Sequence, residues 1–423
     1  MTTLTRTSGS AAIDTAPAAA RAVFSLLRKL RFGSLDLQLP DGTMLHFGSL
    51  AAGEPRAAMA LRNWRPCAAA LRSGDIGFAE CYIAGDWTTP DLATLLTVFV
   101  ANRDEVESVV YGTWWGSLVH RIRHAFHRNT RSGSKKNIHA HYDLGNAFYR
   151  LWLDPAMNYS SAWFEGHGGG DLDAAQGAKT RRALSECALR PGERLLEIGC
   201  GWGALTELAA REYRANVTGV TLSAEQLEWA RRRLDTAGLA ADLRLQDYRD
   251  IDDAPFDAIC SIEMFEAVGR SYWPTFFETV ARRLKQGGKA CVQTIVIRDD
   301  LFERYARSTD FIQQYIFPGG LLPSRAEFRA AASAAGLQVV SELDFGADYA
   351  ETLRRWRDRF LGSEAAVREL GFDTRFMRIW EFYLAYCEAA FATGNTGVMQ
   401  FTLQHAPAGE APVSAASPCG GSR

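Results

Sequence analysis

The stretch Leu195–Gly203, LLEIGCGWG, limits what this chain can fold into more than any other. An apolar run closing on Glu197 and Ile198 reads as a buried strand. Gly199, Gly201 and Gly203 then form a turn, and a helix is expected from Ala204 onward. Glycines let a backbone turn sharply and come within contact distance of a ligand, while the helix behind offers unpaired N–H groups. The pattern therefore predicts a nucleotide-type pocket. A ligand-free strand-to-helix turn is the plainer alternative. The spacing is G-x-G-x-G, not the G-x-G-x-x-G/A of dinucleotide folds. The following strand, ANVTGV, leads into Thr221, Leu222, Ser223, Ala224, Glu225 and Gln226 and lacks the terminal acid that would hold the ribose of NAD. A nicotinamide enzyme is disfavoured on that ground.

Around this turn the pattern alternates. Helices are predicted over Ala174–Cys187, Ala204–Tyr213, Ala224–Ala237 and Trp273–Leu284. Strands are predicted over Arg194–Ile198, Asn216–Val220, Asp242–Leu245, Phe256–Ser261 and Lys289–Ile297. Such alternation argues for a mostly parallel sheet covered on both faces, with ligands beyond the carboxyl ends of its strands. Leu301–Ile316 and most of Tyr349–Phe391 look helical and aromatic, suiting a lid with an apolar lining, and Val398–Leu403 could close the sheet. Upstream, Leu35–Leu39 and Met44–Phe47 read as strands joined at Pro40-Asp41-Gly42, and Arg56–Ser73 and Asp91–Val110 as helices, together a small α+β domain. Polar HRNTRSGSKKN marks the boundary. The expected division is a disordered tail over 1–20, an N-terminal domain over 21–126, a linker over 127–138, a catalytic domain over 139–404 and a loose tail over 405–423.

The 423 residues suit two domains, and the net charge of −2 conceals an uneven distribution. No acid lies between Glu107 and Asp143, where Arg121, Arg123, Arg128, Arg131, Lys135 and Lys136 fall beside five of the eight histidines. Arg21–Arg31, RAVFSLLRKLR, is a second acid-free basic stretch with apolar residues at helical spacing. Both suit an anionic membrane surface, with a solvated face as the bland alternative. No recognition motif accompanies the charge, so nucleic acid is not expected. His120, His124 and His127 share one helical face, but interleaved arginines and no neighbouring carboxylate argue against a metal site. No apolar run reaches membrane-spanning length, the first twenty residues lack a secretion-signal order, and the cysteines are scattered singly. These features suit a reduced, cytoplasmic setting.

Several motifs converge: HYDLGNAFY, LDPAMNYSSAWF, LLEIGCGWGAL, GVTLSAEQ, LQDYRD, SIEMFEAVG, QTIVI, YIFPGGLLPS, FGADYAETL and FYLAYCEAAF. Their order over residues 139–404, with GDIGFAECYIAGDW more faintly upstream, resembles cyclopropane-fatty-acyl-phospholipid synthases and the related mycolic acid cyclopropane synthases. The resemblance implies a Rossmann-like class I methyltransferase sheet with helical lid insertions, joined to an N-terminal domain that contacts lipid or a second copy in a homodimer. It implies S-adenosylmethionine as cofactor and unsaturated phospholipid acyl chains as substrate. Tyr159, Ser160, Leu195, Leu196, Glu197, Ile198, Gly199, Cys200, Gly201, Trp202, Gly203, Thr221, Leu222, Ser223 and Gln226 fall at its cofactor positions. Glu197 faces the methionine amino group, and Asp247 and Tyr248 lie where the adenine is held.

The same resemblance places Glu266, Ile295 and Tyr349 around a bicarbonate ion beside the sulfonium methyl, with the backbone N–H of Ser161 and the side chain of Gln293 completing that site. Two residues depart from the family pattern, Ser161 for cysteine and Gln293 for histidine. Glutamine can donate to an oxyanion but cannot carry histidine's positive charge. Cys387 matches a cysteine labelled as the nucleophile, although among Tyr386, Ala389 and Phe391 a packed core residue is the simpler reading. The implied product is a cyclopropane; a methyl-branched or methylene chain is the alternative, and a non-catalytic lipid-binding module a distant third.

Overall fold

The computed structural model describes residues 13, 15–48, 51–103, 144–166 and 169–407. The basic run from Arg121 to Lys136, the histidines at 120, 124 and 127 and the expected linker lie outside them. The chain forms two compact units, one comprising Met1–His127, Glu303–Pro318 and Tyr349–Thr396, the other Arg128–Phe302, Gly319–Asp348 and Gly397–Arg423. The range expected as one catalytic domain is thus shared between both.

The second unit is built on a seven-stranded sheet. Its strands are β5 (Arg194–Ile198), β6 (Asn216–Thr221), β7 (Asp242–Leu245), β8 (Phe256–Ile262), β9 (Leu284–Ile297), β10 (Leu337–Asp344) and β11 (Thr396–His405), in the order β10-β11-β9-β8-β5-β6-β7. β7, β6, β5, β8 and β9 run parallel, while β10 is antiparallel to β11. This is the α/β sheet expected from the alternating pattern. Chain order reverses direction at β5, whose neighbours are β6 on one side and β8 on the other, the place beyond the carboxyl ends of β5 and β8 where sheets of this kind bind their ligands. On one face, Leu195 and Val217 pack with Leu205, Ala209, Ala183 and Leu184 from flanking helices. The Ala224–Ala237 helix starts where Ser223 accepts the Gln226 N–H and stops at left-handed Gly238.

The first unit carries a four-stranded sheet, β1 (Ser34–Gln38), β2 (Met44–Gly48), β3 (Arg56–Leu61) and β4 (Trp87–Thr88), ordered β2-β1-β3-β4. Here one expectation fails. Arg56–Leu61 is a strand parallel to β1, not the start of a helix, and the helix begins at Arg65. Ala57, Met59 and Leu61 alternate inward, so sheet pairing and burial override the helical propensity of RAAMAL. The segments expected to form a lid belong to this same unit from Glu303 and from Tyr349 onward. Tyr315 donates to Glu80, and Tyr386 and the Phe311 N–H both donate to Asp75. The expected Leu301–Ile316 helix is two short ones, Asp299–Tyr305 and Phe311–Tyr315, because Asp310 caps a fresh start at Phe311 by accepting the Gln313 N–H. In the basic N-terminal segment, Phe24, Leu26 and Leu27 are buried and Phe24 stacks on Phe47, while Arg28, Lys29 and Arg31 stay exposed. Its apolar side is therefore spent on its own core.

Candidate active site

Beyond β5 the three glycines all take positive φ, 86°, 49° and 84° for Gly199, Gly201 and Gly203. They serve different ends. A Cβ on Gly203 would stand 2.9 Å from Ala230 Cβ, so this glycine lets the turn pack on the next helix. A Cβ on Gly199 would meet Met264 at 2.9 Å, and one on Gly201 would meet nothing within 4 Å. Gly201 thus borders open space, the shape a bound small molecule requires, whereas Gly199 seats the turn against the segment that follows β8. Cys200 and Trp202 are buried supports, the indole donating to Asn146 at 2.7 Å and lying against Tyr149.

Glu197 is only 3% exposed and accepts a short hydrogen bond from Thr206. Burial pushes its carboxyl up to about 8, against the pull of Thr206 and Lys179. At the end of β6, Thr221 donates to the Gln226 side chain at 3.0 Å and accepts the Ser223 N–H, which fixes the loop containing half-buried Leu222. Beyond β7, the Asp247 carboxylate is clamped by the backbone and guanidinium of Arg249, and the Tyr248 ring packs edge-on against Phe276. Tyr159 sits among Tyr149 and Trp152. Ser160 accepts from Lys179 Nζ at 2.6 Å and, through its carbonyl, from Gln176.

The carboxylates beyond β8 complete the site. Glu266 lies in a single 3-10 turn, Phe265–Ala267, anchored by Phe265 packed among Trp273, Phe276, Phe277 and Phe328. Its Oε1 accepts from Thr294 Oγ1 at 3.0 Å and from the Ile295 N–H, while Oε2 is sealed from solvent without a partner among the described residues. A buried carboxylate oxygen left unpaired calls for a ligand, a water or a proton on that oxygen. Burial, and then the charge of Glu263, push the Glu266 carboxyl up to about 8. Glu263 accepts the Ser161 N–H at 2.8 Å and Gln293 Nε2 at 2.7 Å, both on Oε1. Gln293 is held in turn by Gln400, which donates to its Oε1 at 3.0 Å and accepts from Arg182.

The glycine turn, Glu197, Thr221, Gln226, Ser160, Ser161, Glu266, Gln293 and Ile295 all lie in this one unit. Tyr349 and Cys387 belong to the other unit. There Tyr349 is buried against Phe391 and Trp356. Cys387 is half-buried, and burial with Asp310 nearby pushes its thiol well up, the opposite of an activated nucleophile. Sequence reasoning missed Glu263, Lys179 and Gln400. Lys179 is 1% exposed, and burial lowers its ammonium to about 8 although Glu263, Asp154 and Glu197 pull the other way. Glu263 stood in SIEMFEAVG, at a strand's carboxyl end, and that place was its signal.

A mostly parallel sheet whose switch point lies under a glycine turn, with a buried acid near the end of its central strand, is the arrangement of class I S-adenosylmethionine-dependent methyltransferases. The chain belongs to the mycolic acid cyclopropane synthetase family, whose pattern it matches over residues 129–401. It is 37% identical to the tuberculostearic acid methyltransferase UfaA1 of Mycobacterium tuberculosis over 91% of this chain and 92% of that protein. It is 36% identical to the cyclopropane-fatty-acyl-phospholipid synthase of Escherichia coli strain K12 over 78% of this chain and 83% of that one. A crystal structure of mycolic acid cyclopropane synthase CmaA1 complexed with SAH and CTAB superposes with a TM-score of 0.60 at 33% identity, covering 64% of this chain and 98% of that chain. The protein is therefore an S-adenosylmethionine-dependent methyltransferase of unsaturated lipids. None of its described helices is long and apolar enough to cross a membrane.

Proposed function

We propose that the protein methylates the double bond of an unsaturated acyl chain in a phospholipid and closes the product to a cyclopropane. The observation that carries the reading is the seat of Gly199 on Met264, two residues before Glu266, which holds the cofactor turn close to the carboxyl group whose Oε2 has no partner among the described residues. The relative from Escherichia coli, named for the phospholipid reaction, supports the substrate class. Exposed Arg28, Lys29 and Arg31 and the acid-free run after Glu107 suit an enzyme that takes its substrate at an anionic bilayer.

An isolated alkene is a weak nucleophile, so donor and double bond must be held in line with water excluded. Glu197 would hold the ammonium of the methionine part, Gly201 leaves room for the chain above the turn, and the loop over Thr221–Gln226 would hold the ribose side. When bound, S-adenosylmethionine supplies a methyl group that leaves sulfur as a neutral thioether and joins one alkene carbon, making the other cationic. Glu266, with Oε1 fixed by Thr294 and Ile295, offers negative charge to that cation when ionised. Phe265 and its aromatic neighbours keep the segment rigid.

A second reading is a methyl-branched or methylene chain without ring closure. It is favoured by the relative named for tuberculostearic acid and by Gln293, whose amide cannot carry a charge. Lipid mass spectrometry after feeding methyl-deuterated methionine decides between them. Ring closure or a methylene retains two methyl deuterons and a methyl branch formed by loss from a neighbouring carbon retains three; proton NMR then separates ring from methylene.

A further inference from the structure

The donors that a bicarbonate ion would need in this site are already engaged. The Ser161 N–H and Gln293 Nε2 both end on Oε1 of Glu263, at 2.8 and 2.7 Å, and the Ile295 N–H ends on Oε1 of Glu266. A second anion among these groups would have to displace the Glu263 carboxylate from the Ser161 and Gln293 donors. Bicarbonate does not fit the residues present.

Glu263 is also held at a conformational cost. It follows the last residue of β8 with φ of +48°, a region in which an L-residue with a side chain is strained by about 1–2 kcal/mol. Its own N–H is tied to the Gln293 carbonyl at 2.8 Å, so backbone and side chain are both locked to β9. The lock extends outward. Gln293 Oε1 accepts from Gln400, whose remaining donor goes to the Lys179 carbonyl at 3.1 Å and whose oxygen accepts from Arg182 at 2.6 Å. A strained acidic residue fixed by a buried relay, one turn from Glu266 and beside the cofactor turn, is what a positioned base requires.

We propose that the Glu263 carboxylate is the built-in base of this enzyme and takes the place of an external bicarbonate. This rests on the methyl-transfer reading above. Once an alkene carbon has accepted the methyl group, a C–H bond of that methyl breaks, its proton passes to the Glu263 carboxylate, and its electron pair forms the bond to the cationic carbon. The neutral acid then returns its proton to water. Gln293 and the Ser161 N–H act as positioning groups, orienting the carboxylate without touching substrate.

The test uses the full-length protein, S-adenosylmethionine and vesicles of an unsaturated anionic phospholipid, with product followed by lipid mass spectrometry. In buffer stripped of carbon dioxide the wild-type rate stays within about twofold of the rate with millimolar bicarbonate. Glu263→Gly relieves the backbone strain, which offsets part of the cost of leaving the Ser161 and Gln293 donors without an acceptor, and a thermal melt checks that the variant is folded. It loses about 100-fold or more in stripped buffer, the usual worth of a general base. Added bicarbonate restores turnover, because the Ser161 and Gln293 donors are released. Carbon-13 NMR of labelled bicarbonate shows binding to Glu263→Gly and none to the wild type. A wild-type rate that collapses on stripping and recovers with bicarbonate overturns the proposal, as does Glu263→Gly running at the wild-type rate in stripped buffer. Wild-type protein that methylates no lipid under any condition refutes instead the reaction on which the proposal stands.

Discussion

Cofactor binding should release a proton, and the source is Glu197. Burial raises this carboxyl to about 8, so at pH 7 about nine-tenths of the molecules carry the acid form. An ammonium group seated on it requires the carboxylate. Affinity for S-adenosylmethionine should therefore rise by up to about tenfold per pH unit below 8 and fall again as the cofactor's own ammonium loses its proton. Calorimetry at pH 7 in buffers of different ionisation enthalpy should count close to one proton released. The cofactor's own amino group and Glu266 also titrate in this range, so the decisive quantity is the difference between wild type and Glu197→Gln. The amide removes one charge-assisted hydrogen bond, about 1.5–3 kcal/mol, which weakens binding at pH 8.5 by roughly 10- to 100-fold. At pH 6 the gap vanishes or reverses, because wild type must first spend about 3 kcal/mol ionising the acid. Equal pH dependence and equal proton release in both proteins would refute the assignment.

Without cofactor, thermal stability should fall between pH 5 and 8: the folded pKa values of Glu197 and Glu266 are raised, so their contribution is complete below the unfolded value and lost as pH climbs through about 8. A melting temperature that rises over this window would contradict that. Glu266→Gln should lower turnover at least about 100-fold while cofactor affinity changes little; unaltered turnover would remove the residue from the reaction. Gly201→Ala should weaken cofactor binding with a stability loss near 1 kcal/mol, whereas Gly203→Ala, which drives a methyl into Ala230, should chiefly destabilise the fold, as paired titrations and melts would show. Cys387→Ala should turn over within a few-fold of wild type, since a thiol raised by burial offers no thiolate; a loss beyond about 100-fold would reinstate it.

The catalytic sheet was legible because its local signals agree. Arg194–Ile198 and Ala224–Ala237 appear at their expected limits, the latter bounded by a Ser223 cap and Gly238. β3 was not legible, since alanine-rich RAAMAL carries helical propensity and only pairing with β1 makes it a strand. β10 has a weak inward pattern and takes its order from β11, some sixty residues later. In the site, Glu266 stood out through its motif. The groups that orient its neighbour did not, because Gln400 reaches Gln293 across 107 residues and Lys179 meets Ser160 from a helix whose sequence announces nothing. Such contacts arise only once the sheet has assembled.

The most direct measurement incubates purified protein with methyl-deuterated S-adenosylmethionine and vesicles of a monounsaturated phospholipid and weighs the recovered acyl chains. The expected chains are heavier by a carbon bearing two deuterons, with the alkene protons replaced by cyclopropane signals in the NMR spectrum. Deuterium absent from the acyl chains, with the double bond intact, would contradict it.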